Sequence, residues 1–369
     1  METTEKNPAI PKRKNLGNLI RNIFGIIAVL YVLSRLYRVF IVQNTYGAET
    51  WTRLLIAGLV IGSVYALIAI GYTLVYGILF MINFAHGEVM MLGSFAGFFV
   101  FEATNAINVT AADGTITSFS NAQPVLSIIL TFVVGMGFSA TVGYFLEKIA
   151  YRPLRKAPRL IPLISAIGAS FALQNAALLL FSPQTRNYVN PDVMARGAGF
   201  QMIINETSVT FPYTGIFTLV LSILLMVGLL LMVKRSRLGK SMRAVAMDKD
   251  TAALMGIDVN KTISNTFIIS GALAGAAGVM WGLHNGILHY FVGFLPGIKA
   301  FTAAVLGGIG NIPGAMLGGM VLGLLEALGP AALDISFQLK DVIAFVIMIA
   351  ILVFKPSGLL GEVLSEEKV

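Results

Sequence analysis

Residues 58–97 read GLVIGSVYALIAIGYTLVYGILFMINFAHGEVMMLGSFAG, two apolar runs joined by a polar break that holds Asn83, His86 and Glu88. The first run occupies 54–81 and the second 89–101. Both are apolar on every side, so neither offers the polar face of a helix at the surface of a water-soluble bundle. Crossing roughly 30 Å of hydrocarbon takes about 20 such residues in a helix. The stretch therefore reads as membrane-spanning helix, interrupted once by groups that hydrocarbon does not tolerate without partners.

Composition extends that reading to the whole chain. Hydrophobic residues make up 56% of the 369 positions and charged residues 12%, about half the share in a soluble domain, and mean hydropathy is +0.81. Such a chain cannot cover its outside with polar groups, so its outside faces lipid. The net charge of +8 sits in short blocks between apolar runs, the pattern of cytoplasmic loops and not of a nucleic-acid surface. With no cysteine there are no disulfides, thiolate metal sites or cysteine nucleophiles. His86, His284 and His289 lack metal-binding spacing, and no Walker A sequence is present, so the chain is expected to bind no metal and to hydrolyse no ATP.

Further spans are expected at 125–145, 160–181, 213–233, 263–283 and 342–354, and the over-long, glycine-rich run 300–328 as a broken or re-entrant pair. The span at 342–354 is short and is expected to begin earlier, around Phe337. Residues 1–50 supply a basic arm (Lys6, Lys12, Arg13, Lys14, Arg21) and an extra apolar segment at 23–42, read as spanning with Arg35 and Arg38 snorkelling, or as interfacial. Leu33-Ser34-Arg35 is a poor cleavage site, so removal as a signal peptide is rejected. The loop 147–159 carries Lys148, Arg152, Arg155, Lys156 and Arg159, and the loop 234–262 is also basic, which places both in the cytoplasm; 102–124 and 182–212 belong outside. The expected fold is an all-α polytopic membrane protein of about eight to nine transmembrane helices plus broken segments. A permease domain would span 51–361, with a cytoplasmic tail at 362–369.

Three features carry chemistry. Tyr65, Tyr72 and Tyr76 share one helical face, to line a polar path or to fill a packed seam. Asn83, Phe84, His86, Gly87 and Glu88 form a break where exposed backbone can meet a solute, the alternative being a solvated cytoplasmic turn. Gln174 and Asn175 lie in an apolar span, facing the pathway or a neighbouring helix. On the cytoplasmic side, 240–258 reads as a short protruding helix with Arg243, Asp248, Asp250, Ala252, Ala253 and a stop at Gly256, suited to docking on a partner; the alternative is a plain basic loop. The glycines of 271–278 and 307–323 read as close helix packing. Asn311-Ile312-Pro313-Gly314 faintly echoes the Asn83–Gly87 break, as an internal repeat would.

The run Gly62-Ser63-Val64-Tyr65 to Gly77, followed by Ile82-Asn83-Phe84-Ala85-His86-Gly87-Glu88, resembles the branched-chain amino acid ABC permeases of the LivH type. So do Tyr151-Arg152-Pro153-Leu154-Arg155, the segment 307–315 and the ending 355–361. The resemblance implies an ABC importer permease in a bacterial inner membrane. It would work with a second, LivM-like permease, two cytoplasmic ATPases that use ATP and Mg, and a periplasmic substrate-binding protein. It also implies that 240–258 is the coupling region, although Asp250-Thr251-Ala252-Ala253 departs from the family's Glu-Ala-Ala pattern and the later Pro is missing. Urea or short-chain amide permeases and sugar permeases of the wider family remain alternatives, Phe84 leaning toward amino acids. A stand-alone channel or ion-coupled carrier would need a charged relay in the spans, for which Glu88, His284, His289, Lys299 and Glu326 are the only material.

Overall fold

The computed structural model describes residues 25, 30–42, 46–110, 115–155, 157–158, 160–195, 197–204, 206–355 and 357–361. The basic arm and the tail at 362–369 lie outside the described residues. Of the extra segment at 23–42, residues 30–42 are helical. They lie along the outside of the bundle: Phe40 stacks on Trp51 at 4.8 Å, Arg35 reaches Asp334 at 3.7 Å, and Leu30, Leu33 and Ile41 stay exposed.

Seven helices among the described residues are long and apolar enough to cross a membrane. The spans comprise α1 (Ala48–Leu79), α2 (His86–Ala106), α3 (Pro124–Leu146), α4 (Leu160–Phe181) and α5 (Tyr213–Arg235). Two short cytoplasmic helices follow, α6 (Arg237–Met247) and α7 (Lys249–Leu254). The chain finishes with α8 (Val259–Asn285), α9 (Phe294–Gly307), α10 (Ile312–Leu333) and α11 (Lys340–Phe354). The run 300–328 is thus two helices, divided at Gly308–Asn311, where Gly308 and Gly310 take φ of 103° and 95° that only glycine adopts without strain. A turn of 3₁₀ helix at Phe337–Leu339 precedes α11, so the last span does begin near Phe337.

Among the described residues the outer ends carry three two-stranded antiparallel ribbons: β1 (Asn108–Thr110) with β2 (Ile116–Ser118), β3 (Arg186–Asn187) with β6 (Ile287–Leu288), and β4 (Gly199–Ile204) with β5 (Thr207–Pro212). Arg53 ties the start of α1 to this side by donating to the Ser208 carbonyl at 2.7 Å. With the basic loops at the other end, α1 therefore descends from outside to inside, as the charge pattern predicts.

α1 is the centre of the bundle and packs most closely against α10. The contact is backbone on backbone. A Cβ on Gly62 would lie 3.0 Å from Met320 Cα, and one on Gly58 3.0 Å from Leu324 Cα, while Gly319 and Gly323 present equally bare surfaces to Ala66 and Gly62. Lipid tails are as apolar as leucine, so helices in a membrane hold together through such close packing and not through hydrophobic sorting. In contrast, α3, α4 and α5 expose Val125, Val133, Leu179, Leu180 and Leu224, the lipid-facing rim.

The seam has a direct test. Gly323→Ala should cost about 1–3 kcal/mol by overpacking, read as a lower unfolding midpoint of the purified protein. Gly323→Leu should prevent α1 and α10 from closing and leave no monodisperse species in detergent.

Candidate functional site

α1 ends at Leu79, and Phe80 caps it in a left-handed turn (φ 54°), its N–H donating to the Tyr76 carbonyl at 2.8 Å. The chain then climbs back: α2 begins at His86, whose imidazole fills the notch left by Gly71, and the ring stands 4.9 Å from that of Tyr72. Gly71 lies eight residues before the end of α1, about 12 Å at roughly 1.5 Å per residue. The amino terminus of α2 therefore lies about two helical turns above the inner end of α1, within the bundle. His86, Gly87 and Glu88 form its first turn, and His86 and Glu88 are each 1% exposed, which excludes the solvated-turn reading of this segment.

A second helix starts at the same depth from the opposite side. α8 stops at Asn285 with Gly286 in the left-handed region, β6 pairs with β3, and residues 289–293 turn inward to α9. The two starts cross at Gly87 and Gly293. A Cβ on Gly87 would lie 2.5 Å from the Gly293 carbonyl oxygen and 3.0 Å from Gly297 Cα, so no larger residue fits. Helix amino termini carry partial positive charge and unpaired N–H groups. Glu88 places its carboxylate where the two converge, beside Gly293. Among the described residues its Oε1 meets the Ser170 hydroxyl at 3.5 Å, and its Oε2 meets no partner in hydrogen-bonding geometry.

Glu88 opens on a cavity of about 220 Å³ lined also by Tyr72, Phe84, Ser170, Phe171 and Phe294. The structure thus brings Tyr72, Phe84, Gly87 and Glu88 together, with His86 and Asn83 directly behind them. Phe301 bridges Tyr72 and Phe84 at ring distances of 6.0 and 5.8 Å. Tyr65 faces a different cavity, next to Trp281. Gln174 is buried with no partner for Nε2, whereas Asn175 is exposed and bonds back to the Phe171 carbonyl at 2.8 Å.

The cytoplasmic segment forms two helices and not one. Ser236 caps α6 by accepting from Gly239 N–H at 3.0 Å, and Asp248 breaks the helix and caps α7, accepting from the N–H groups of Asp250 (2.9 Å) and Thr251 (3.1 Å). The Thr251 hydroxyl, together with those two N–H groups, holds the Asp248 carboxyl below the usual range. Gly256, at φ 83°, ends α7 with its N–H on the Ala253 carbonyl at 3.0 Å. Arg243 bonds to the Val233 carbonyl, Ala252 is buried, and Asp250 and Ala253 are exposed. Met247, Leu254 and Met255 stand 75%, 88% and 78% exposed on this small knob. Met247 closes α6 and Leu254 and Met255 close α7, and large apolar side chains left exposed in this way are typical of contact surfaces.

Sequence reasoning missed Glu147 and read Arg152 and Arg155 only as cytoplasmic charge. Glu147, fully buried, accepts from Arg152 Nη2 (3.0 Å), from Arg155 and from the Ser264 hydroxyl (2.8 Å), and Arg155 also reaches Asn260 at 2.7 Å on α8. Next to it, the Tyr151 hydroxyl donates to Asn83 Oδ1 at 2.8 Å, both residues buried. The signal was present: one carboxylate, Glu147, at the head of a loop otherwise basic. Topology alone accounts for the arginines as positive charge, and so hides their pairing. Lys299 and Glu326, read from the sequence only as material for a charged relay, pair with each other at 2.8 Å.

Residues 54–352 match the family described as branched-chain amino acid transport system / permease component. The chain is 46% identical to the high-affinity branched-chain amino acid transport system permease protein BraD of Pseudomonas aeruginosa, over 84% of this chain and 95% of that protein. It is 40% identical to the corresponding LivH of Escherichia coli (83% and 94%) and 28% identical to a probable LivH of Methanocaldococcus jannaschii (84% and 92%). No solved structure matches the chain.

Two measurements test the local geometry. Tyr151→Phe leaves Asn83 Oδ1 buried without a donor and should cost about 1–3 kcal/mol, seen as a lower unfolding midpoint; the same change in an Asn83→Ala background should cost much less. Because the Asp248 pKa is depressed in the folded state, its cap is fully present at neutral pH and is lost as pH falls through that depressed value. Hydrogen exchange of the segment 248–256, corrected for intrinsic rates, should therefore accelerate in acid, and Asp248→Asn should remove that acceleration.

Proposed function

This chain belongs to the family of branched-chain amino acid transport system permease components, and on that premise we propose that it is the membrane-spanning permease of an ATP-driven importer of branched-chain amino acids in a bacterial inner membrane. The observation that carries the pathway is Glu88, buried on a cavity where two interrupted helices begin within the membrane. Backbone that stops being helical at that depth is tolerated only where protein or a water-filled path covers it, and half-helix ends of this kind handle solutes in many transporters. Tyr72, Phe84 and Phe301 form the aromatic closure beside Glu88, and movement of α9 against α2 at the Gly87–Gly293 crossing opens it.

In this reading the chain binds no cofactor. Two cytoplasmic ATPases hydrolyse ATP with Mg, a second LivM-like permease completes the pore, and a periplasmic binding protein delivers the solute. The α6–α7 knob docks on an ATPase through Met247, Leu254 and Met255, with Arg243, Asp248, Asp250, Ala252, Ala253 and Gly256 setting its shape. Motion of the knob passes to the amino-terminal end of α8, from there through Asn260, Ser264, Arg155 and Glu147, and on through neighbouring Tyr151 to Asn83. That route is a chain of contacts, and a shared two-state element is what would make it a coupling path.

Uptake of radiolabelled leucine by proteoliposomes holding the complete complex tests the function. Transport should require ATP inside with the binding protein outside, and this chain alone should give no flux. Gly256→Val forces a branched residue into a left-handed conformation, at about 1–2 kcal/mol, and re-aims Leu254 and Met255. ATP hydrolysis should persist while uptake falls at least about tenfold, a barrier change of roughly 1.4 kcal/mol. Normal coupling in this variant would remove the docking assignment, and full uptake by Glu88→Ala would remove the pathway assignment.

A further inference from the structure

The half-helix α9 has two working faces. Phe294, Gly297 and Ile298 turn toward Glu88, whereas Leu295, Pro296 and Lys299 turn the opposite way, into a second cavity of about 320 Å³. This second cavity lies nearer the outer ends of the spans, since Asn285 at the end of α8 and Lys340 and Asp341 at the start of α11 help to line it. Nothing in the Glu88 pathway accounts for its charges.

Lys299 is buried and shared between two carboxylates, Nζ standing 2.8 Å from Glu326 Oε1 and 2.5 Å from Asp341 Oδ1, and 5.8 Å over the Tyr65 ring. Lys340, half exposed at the mouth, lies 3.6 Å from Glu326 Oε1. The Glu326 carboxylate is 4% exposed and lies within reach of the Tyr65 hydroxyl, while its Oε2 meets no partner in strict hydrogen-bonding geometry among the described residues. A tie between α9 and α10 needs one lysine and one glutamate. Here four formal charges, a spare carboxylate oxygen and two aromatic rings, Tyr65 and Trp281, surround open space. Burying ionised groups in a membrane is costly even when they are paired, so a cluster retained there marks a functional site.

We infer that this cavity is an outer binding subsite for a zwitterionic α-amino acid. The ammonium group takes Glu326 Oε2, with the faces of Tyr65 and Trp281 adding cation–π attraction. The carboxylate replaces Asp341 on Lys299, and Asp341, the more exposed of the two acids, is released toward the ammonium. The aliphatic side chain rests on Ile61, Val292 and Leu295. The inference rests on the amino acid transport reading and deepens it: the permease itself tests for both ends of the zwitterion before the solute passes α9.

Trp51 and Trp281 are the chain's two tryptophans, so Trp51→Phe leaves Trp281 as a reporter in the cavity. In the full-length Trp51→Phe chain in lipid nanodiscs, L-leucine should shift the emission saturably. 4-Methylpentanoate, without the ammonium, and 3-methylbutylamine, without the carboxylate, should each bind at least about tenfold more weakly, the loss of one charge-assisted contact. Glu326→Gln and the rim variant Asp341→Asn should weaken L-leucine similarly, the second remaining informative if the first fails to fold. In proteoliposomes of the complete complex, Glu326→Gln should raise the KM for leucine with the maximal rate within about twofold; a merely structural ion pair would lower the maximal rate and leave KM alone. Unchanged titration in both variants, or an unchanged KM in a complex that still imports leucine, overturns the subsite while the transport reading stands. A wild-type complex that imports no branched-chain amino acid overturns the transport reading, and the subsite falls with it.

Discussion

The close approach of Gly87 to Gly293 sets the rest of the site. Two helices can begin side by side in the middle of a membrane only if their first turns touch without side chains between them, and only if something answers the exposed N–H groups and their positive potential. Glu88 supplies the negative charge. The His86 imidazole fills the space that Gly71 leaves, and Tyr72 covers both. Each is placed by the crossing: move α9 outward by one methyl group and the Glu88 cavity loses the wall formed by Phe294 and Gly297.

Around that point the bundle divides into a stiff part and a loose part. α1 and α10 meet through bare glycines, and α8 packs on α2 and α3 in the same close way. Such backbone contacts leave little room for sliding. The inner half of α9 is held just as closely, Ala303 and Gly307 lying against Gly318 and Gly314 of α10. Its outer half is held by the Gly87 crossing and by the charges on Lys299, and it has a cavity on each face.

Much of this was legible in the sequence. The apolar runs gave the helices almost to the residue where they are long, as at 160–181, because a spanning helix is specified by composition and length alone. The doubled nature of 300–328 showed in its excess length and glycines. The depth of His86 did not show, since hydropathy cannot distinguish a turn at the cytoplasmic surface from one that climbs back beside Gly71; only the tertiary contact decides. The pairing of Glu147 with Arg152 and Arg155, and of Lys299 with Glu326 and Asp341, was hidden for a related reason. Charges in such a sequence are read first for which side of the membrane they mark, which hides Glu147 among its near neighbours Arg152 and Arg155, and partners as far along the chain as those of Lys299 leave no periodic trace. Asn175 is the converse case: beside Gln174 in sequence, it lies one hundred degrees round the helix and ends up exposed.

The charge cluster on the outer face of α9 also has an electrical meaning. A group that moves through the full membrane potential exchanges about 2.3 kcal/mol per elementary charge for each 100 mV. Lys299 and Lys340 against Glu326 and Asp341 sum to zero formal charge, so the cluster as a whole presents no net charge to that field. A zwitterion adds nothing to that sum. On the proposed reading, passage of such a solute past α9 carries no net charge of its own through the membrane potential.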